Sequence, residues 1–190
     1  MKMIKTISVG WVALTLLASC TAGRQAFDDG HEMIQSGHAE EGLAALAQAL
    51  KENAKSIEFK SYYLRQKELY IAQLLARGDS ARVAQQYAEA DSAYRRALKY
   101  DPNNQHALDG IEAAKRDQRH DEMAANADKL LQAGKTDEAQ LIVRTILAED
   151  PQHAMARKIA NALEEKEALQ KKTMALKNKN LSHTKGREGN

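Results

Sequence analysis

Residues 87–102 read YAEADSAYRRALKYDP, and this stretch decides the fold of the chain. Ala90, Tyr94 and Ala97 are spaced by four and three positions, so they lie on one face of a helix. The small side chain of Ala90 lets a second helix approach closely. Pro102 ends the run, because proline lacks an amide hydrogen and clashes with the preceding turn. The stretch therefore predicts an amphipathic helix packed against a close neighbour.

The same pattern occurs three times along the chain. Residues 136–151, TDEAQLIVRTILAEDP, repeat it 49 positions later, and residues 39–50, AEEGLAALAQAL, match its first part. Gly37 and Gly134 precede two of the copies and suit a tight turn between paired helices. The repeat-defining positions, which we expect to form the core, are Gly42, Leu46, Ala49, Ala90, Tyr94, Ala97, Pro102, Ala139, Val143, Ile146 and Pro151.

The composition favours an all-α fold. Ala, Leu, Glu, Gln, Lys and Arg dominate, there are only two prolines, and sustained period-two alternation is absent. Residues 57–84 and 105–131 each predict one long helix of about 40 Å. Residues 24–36 predict a short opening helix, and residues 153–175 a closing one. Gly78-Asp79-Ser80 falls inside the first long helix and predicts a kink or local break there.

This pattern resembles the tetratricopeptide repeat, although its period of 48 or 49 residues exceeds the usual one of about 34. The resemblance implies an all-α, tetratricopeptide-like helical solenoid of three helix pairs with elongated first helices and a C-terminal capping helix. The implied repeat domain is residues 24–170. Its repeats are about 24–55, 56–104 and 105–153, and its cap is 153–170. Such an array forms a groove that usually holds peptide segments or partner helices.

The N-terminus has the features of a secretory signal. Lys2 and Lys5 supply a positive start. They precede an apolar segment, residues 7–17, that is too short to span a bilayer comfortably. These features predict a signal peptide at residues 1–19.

The run Leu17-Ala18-Ser19-Cys20 resembles the lipobox of bacterial lipoproteins. That resemblance implies cleavage by signal peptidase II between Ser19 and Cys20, diacylglycerol on the Cys20 thiol, and a lipidated linker at residues 20–23. The residue after Cys20 is Thr21 and not aspartate. In this it resembles Gram-negative lipoproteins that are transported onward to the outer membrane. The implied location is the periplasmic face of the outer membrane. A chance match or a buried core cysteine is the alternative.

Charge is unevenly distributed along the chain. Residues 171–190 hold six basic residues against Glu188 alone, a net charge of +5, whereas residues 20–170 are mildly acidic. A mildly acidic body gives no reason to expect nucleic-acid binding. The polar, aperiodic C-terminal sequence predicts a basic disordered tail at 171–190. Contact of its lysines with anionic lipid is an alternative to a solvated tail, and their dispersion favours the solvated tail.

The sequence carries no motif for catalysis. Neither a Gly-x-Ser-x-Gly elbow nor a phosphate-cradling glycine loop occurs. The histidines match no zinc-binding spacing, and we expect them at the surface: His31, His38, His106, His120, His153 and His183. We therefore expect no enzymatic activity, cofactor, metal or small-molecule substrate. Tyr62 and Tyr63 are adjacent, so at least one is expected to be exposed or in contact with a partner.

A second resemblance concerns residues 20–168. The segment Tyr63-Leu64-Arg65-Gln66-Lys67-Glu68, the long helices and the 49-residue spacing are similar to the N-terminal region of outer-membrane secretins of type II secretion and type IV pili. The β-rich channel region of that family is missing, so channel activity is not implied. One hypothesis is a lipid-anchored periplasmic interaction scaffold of a secretion or pilus machine, as a truncated secretin relative. The other is a free-standing outer-membrane lipoprotein that acts as a pilotin-like assembly factor. Both imply envelope proteins as partners.

Overall fold

The chain folds into α-helices joined by short turns. The computed structural model describes residues 22–179, and beyond them only the helical extent of residues 8–21 and 180–185. The helices are, in chain order, α1 Ser8–Gln35, α2 Ala39–Glu52, α3 Ile57–Val83, α4 Tyr87–Tyr100, α5 Gln105–Gln132, α6 Thr136–Glu149 and α7 Ala154–Lys185. The part of the chain that the structure describes contains no strand.

The helices follow one another as three pairs, α1–α2, α3–α4 and α5–α6, with α7 closing the chain. The first helices are long, at 27 residues in α3 and 28 in α5, whereas α4 and α6 have 14 residues each. The predicted all-α, tetratricopeptide-like arrangement of helix pairs with elongated first helices and a closing helix is confirmed.

The turn inside each pair has the same backbone design. Gly37 and Gly134 adopt φ values of +90° and +78°, and Gln85 occupies the equivalent position with φ 60°. In each turn the next amide bonds back to the carbonyl five residues earlier, as in His38 N to Met33 O at 2.8 Å. This is the Schellman arrangement, which satisfies carbonyls at a helix end and requires a left-handed residue. Gln85 meets that requirement without the freedom of glycine.

Side-chain caps start the helices that open each repeat. Ser56 Oγ accepts a hydrogen bond from Phe59 N at 3.2 Å, and Asn104 Oδ1 accepts one from Ala107 N at 3.1 Å. His153 Nδ1 accepts one from Ala156 N at 3.3 Å. These caps satisfy amides that have no partner within the helix, so they mark where α3, α5 and α7 begin.

The chain divides into two compact units, Met1–Ile111 and Glu112–Asn190, so the predicted repeat domain 24–170 spans both. In the first unit α2 and α4 contribute the buried core residues Leu43, Leu46, Ala49, Ala90, Ala93, Tyr94 and Ala97, which α3 joins with Phe59, Ile71, Leu74 and Ala81. In the second unit α5, α6 and α7 contribute the buried cluster Ala127, Ala139, Val143, Ile159 and Leu163 and, beside it, Ala124, Ile146 and Ala156.

The repeat-defining positions divide into two kinds. All of them except the prolines are buried, including Gly42 on α2. Pro102 and Pro151 are exposed, and each lies two positions past the last residue of α4 or α6. The prolines therefore end helices and contribute nothing to the core.

The local break that was one expectation for Gly78-Asp79-Ser80 does not occur. Helix α3 continues through these residues to Val83. A Cβ placed on Gly78 would lie 2.5 Å from Cε1 of Tyr94, so glycine is there to admit a ring from α4. The glycine serves packing between helices and does not interrupt its own.

The disordered tail predicted for 171–190 is also wrong for its first part. Residues 171–179 continue α7, and every one of them is exposed. Lys, Met, Ala and Leu are good helix formers, and no glycine or proline follows Pro151 until Gly186, so nothing local ends the helix. The cap predicted at 153–170 is thus the first half of a longer helix.

The predictions for the N-terminus fall outside the described residues. These are the signal peptide 1–19, the cleavage between Ser19 and Cys20, and lipidation at Cys20. Within the described residues, no helix has the combination of length and apolarity that a membrane crossing needs.

Candidate interaction site

A cleft of about 540 Å³ opens between α1 and α3 in the first unit. Each helix contributes four side chains to it. We call it the α1–α3 cleft, and its lining residues are Arg24, Phe27, Asp28, His31, Glu58, Ser61, Tyr62 and Arg65. Spacings of three and four along each helix place these residues on facing surfaces.

The floor of the cleft is aromatic. Phe27 lines the cleft and stacks on Phe59, which lies outside the lining, with ring centroids 4.4 Å apart and planes 12° apart, and both side chains are buried. Tyr62 meets Phe27 edge to face at 5.3 Å, and His31 lies 5.0 Å from the Tyr62 ring. Such pairs contribute about 0.5–1.5 kcal/mol beyond their buried area. The Ser56 cap holds the first turn of α3, and Phe59 with it, in place.

Charged groups surround the aromatic floor. The Arg24 guanidinium contacts Asp28 at 3.2 Å on its own helix and Glu58 at 3.2 Å on α3, and it lies 5.3 Å from the Phe27 ring centroid. The hydrogen bond and charge of Asp28, followed by the charge of Glu58, raise the pKa of Arg24. Arg65 lines the same cleft and forms no ion pair with the residues the structure describes. The cleft therefore offers one neutralised cation and one available cation beside apolar rings.

A second charged group joins three helices of the first unit. Glu40 on α2 accepts from Arg96 Nη2 at 2.9 Å and from the Tyr70 hydroxyl at 3.4 Å. Arg96 also donates to the Tyr70 hydroxyl, and its guanidinium carbon lies 5.8 Å from that ring's centroid. Burial raises the pKa of Tyr70. The positive charge of Arg96 opposes this rise, and the negative charge of Glu40 adds to it. These bonds tie α2, α3 and α4 together beside a smaller cavity of about 370 Å³.

Tyr94, Asp79 and His106 form a third polar group in the first unit. The Tyr94 hydroxyl donates to Asp79 Oδ1 at 2.7 Å, and His106 Nε2 lies 2.9 Å from the same oxygen. Burial and the bond to Asp79 raise the pKa of Tyr94 to about 12. Burial by itself would raise the pKa of the Asp79 carboxyl. The hydrogen bonds that this carboxyl accepts from His106 and Tyr94 outweigh burial, so its pKa is lowered. A tyrosine that holds its proton so firmly is suited to bonding and packing, and is a poor base or nucleophile at neutral pH.

Two histidines in the second unit correct the expectation of surface histidines. His120 is 1% exposed, with Nε2 3.0 Å from Glu149 Oε2 and with Nδ1 buried without a hydrogen-bond partner. Its ring lies 6.0 Å from that of His153, whose Nε2 is 3.2 Å from Asp121 Oδ1. Hydrogen bonds from His120 and then Arg119 lower the pKa of Glu149. Among residues 22–179 no group of three or more His, Cys, Asp or Glu side chains is placed to hold a metal.

The repeat-defining residues and the cleft residues are different sets. The former face the interior of the helix pairs, whereas Phe27, Phe59, Arg24 and Glu58 were not singled out from the sequence. Phe27 and Phe59, the two phenylalanines of the chain, are 32 positions apart in the sequence, so no local pattern indicated that their rings would stack. At least one of Tyr62 and Tyr63 was expected to be exposed or in contact with a partner; both are half-buried, and Tyr62 lines the cleft.

No protein-family model and no curated protein matches the chain. Among solved structures, the C-terminal TPR-containing domain of an FK506-binding protein from Plasmodium falciparum is similar at 18% sequence identity, with 81% of this chain and 93% of that chain covered. The TM-score is 0.26, which is too low to transfer any property of that domain to this chain.

Proposed function

We propose that this protein is a protein–protein interaction scaffold that binds a partner segment in the α1–α3 cleft. The observation that carries the proposal is the pair of aromatic rings in the cleft, Phe27 and Tyr62, beside Arg65, with Phe59 stacked on Phe27. Aromatic and arginine side chains are enriched where protein interfaces concentrate their binding energy. An apolar pocket with a cation at its edge suits a segment with one apolar or aromatic side chain next to an acidic group.

The proposed setting is the bacterial envelope. The N-terminal lipobox-like run supports lipid attachment at Cys20 and anchoring at the periplasmic face of the outer membrane. Residues 63–68 and the repeat spacing are similar to secretin N-terminal regions. This similarity supports a role as a component of a secretion or type IV pilus machine. The second candidate is a pilotin-like assembly factor, which the same lipoprotein features favour.

The cleft is tested by site-specific crosslinking in intact cells. A photoreactive residue replaces Ser61, which lines the cleft and is exposed, and a matched one replaces Lys60, which is exposed and absent from the lining. We expect a discrete crosslinked envelope protein from position 61 only. A partner segment identified by mass spectrometry should then bind the purified full chain.

Cleft variants decide whether that binding uses the proposed contacts. Tyr62→Ala and Arg65→Glu should each weaken binding of the segment at least about tenfold, because both remove groups from the cleft. Tyr63→Ala, on the neighbouring helix position, should leave binding within about twofold. Equal crosslinking from positions 60 and 61, or equal loss in the Tyr63 variant, would contradict the proposed site.

Anchoring and the two candidate roles are tested separately. Cys20→Ser should abolish metabolic labelling of the protein with radioactive fatty acid, while its helical circular dichroism is unchanged. A permanent component of the machine should stay crosslinked to the assembled complex. A pilotin-like factor should crosslink only to newly made partner in a pulse–chase experiment.

A further inference from the structure

The C-terminal half of α7 carries leucines that nothing in the described chain covers. Leu163 is the last buried residue of the helix, and all residues from 167 to 179 are exposed. Leu169 and Leu176 are 65% and 63% exposed. The helix therefore extends about 24 Å beyond its own packing as far as residue 179. An exposed leucine is common by itself, but two on one face of a free helix form a surface.

Leu169, Thr173 and Leu176 are spaced by four and three residues, so they form one narrow stripe along the helix. We call these three residues the leucine stripe. The Thr173 hydroxyl donates to the Leu169 carbonyl at 2.9 Å, so its hydrogen-bonding need is met inside the helix. Moving Thr173 out of water therefore costs less desolvation free energy than moving a hydroxyl without a hydrogen-bond partner.

Lysines border the leucine stripe on both sides. Lys172 and Lys179 each follow a stripe leucine by three positions, which places both along one border. Lys166 precedes the first leucine by three positions, and Lys177 follows Thr173 by four, which places both along the other border. Glu167, the one acidic residue between 166 and 179, lies across the helix and reaches Gln140 at 3.4 Å.

We propose that this half of α7 binds an anionic phospholipid surface, with the leucine stripe in the acyl region and the border lysines at the headgroups. Lysines on both sides of a narrow apolar stripe extend their apolar stems along it and keep their ammonium groups at the phosphates. A second copy of the chain fits less well, because two such stripes would bring lysine borders of like charge together. This surface is separate from the α1–α3 cleft, and it needs no lipid on Cys20.

The test is sedimentation of the full chain carrying Cys20→Ser with vesicles of phosphatidylcholine, with and without added phosphatidylglycerol. The difference between the two vesicle types isolates binding that depends on anionic lipid. We expect that difference to be large at low salt and to shrink at high salt, since exposed charges are screened. Equal binding to both vesicle types would overturn the proposal.

Two pairs of variants test the geometry, each with a control on the same helix. Leu169→Gln with Leu176→Gln should lower anionic binding at least about tenfold, whereas Met174→Gln, exposed but off the stripe, should change it less than about twofold. Lys172→Gln on the border should lower it about fivefold, whereas Lys171→Gln on the far side, which removes the same charge, should lower it less than about twofold. The replaced residues are exposed, so circular dichroism should remain unchanged.

Two outcomes would assign the stripe to another occupant and overturn the proposal. Concentration-dependent dimers in sedimentation equilibrium, lost in the leucine double variant, would show a second copy there. Loss of anionic binding by the control variants to the same extent as by the stripe and border variants would show a general effect of charge on the helix.

Discussion

The hydroxyl of Tyr94 donates to Oδ1 of Asp79 at 2.7 Å, and the Tyr94 ring fills the space that glycine leaves on two other helices. A Cβ on Gly78 of α3 would lie 2.5 Å from Tyr94 Cε1, and a Cβ on Gly110 of α5 would lie 2.5 Å from Tyr94 Cζ. The side chain is completely buried. One tyrosine on α4 thus sets the distance to both long helices that flank it within the first unit.

Gly78→Ala should destabilise the protein by about 1 kcal/mol or more, although alanine is the better helix former by about 1 kcal/mol. The added methyl group would displace the Tyr94 ring. Urea unfolding followed by circular dichroism measures the change. Ala76→Gly, at an exposed position of the same helix, is the control and should also destabilise, by about 1 kcal/mol from propensity alone. A stabilised Gly78 variant would show that the ring is not tightly seated.

Tyr94→Phe keeps the ring between the glycines and removes the hydroxyl. We expect a loss of about 1 kcal/mol in the free energy of unfolding, because the hydrogen bond to Asp79 is lost at a buried position. Tyr63→Phe is the matched control, since Tyr63 is half-buried and its hydroxyl forms no hydrogen bond with the residues the structure describes. The two variants should differ clearly in urea midpoint, and equal midpoints would count against the bond.

Alkaline conditions should weaken the fold through the same tyrosine. Its pKa is raised in the folded protein to about 12, above the ordinary value of about 10. The folded state therefore holds the proton more firmly, and the resulting stabilisation is complete below about pH 10 and is lost as pH rises through about 12. Burial also raises the pKa of Tyr100 to about 12, so it contributes in the same window.

Urea unfolding at about pH 9 and about pH 11 tests this dependence. The wild-type chain should lose more stability between the two values than Tyr94→Phe, and more than Tyr100→Phe. The Tyr63→Phe control should follow the wild type. A Tyr94→Phe chain as sensitive as the wild type would place the titration elsewhere.

Gln85→Gly should stabilise the protein by about 0.5–1 kcal/mol. Gln85 adopts φ 60°, a left-handed conformation that costs side chains other than glycine about 1 kcal/mol. Glycine removes that strain, although it also increases the freedom of the unfolded chain. Thermal and urea unfolding both measure the gain.

Gly37→Ala is the reverse experiment at the equivalent turn. No atom lies within 4 Å of a Cβ placed there, so the loss of about 1 kcal/mol that we expect comes from backbone strain at φ +90° alone. If both substitutions changed stability in the same direction, the shared turn design would be contradicted.

The helix pairs could be read from residue spacing, because small and apolar residues recur on one face and proline stops α4 and α6. The role of Gly78 in helix packing could not be predicted from residue spacing. A glycine within a helical pattern predicts a break from local preference alone, and the ring that requires it lies 16 positions further along the chain. The α1–α3 cleft could not be predicted from the sequence either, because Phe27 and Phe59 meet only once α1 and α3 are packed.

The amino-acid sequence by itself determined the helices of the described residues, since helix propensity, capping residues and periodic faces act within a few turns of chain. It also predicted the tight turns at Gly37 and Gly134, because glycine adopts a positive φ without strain. The tertiary structure decided which glycines seat Tyr94, which aromatics form the cleft, and that His120 is buried beside Glu149. These features depend on distances between separate helices and on the exposure of whole faces, which local sequence does not encode.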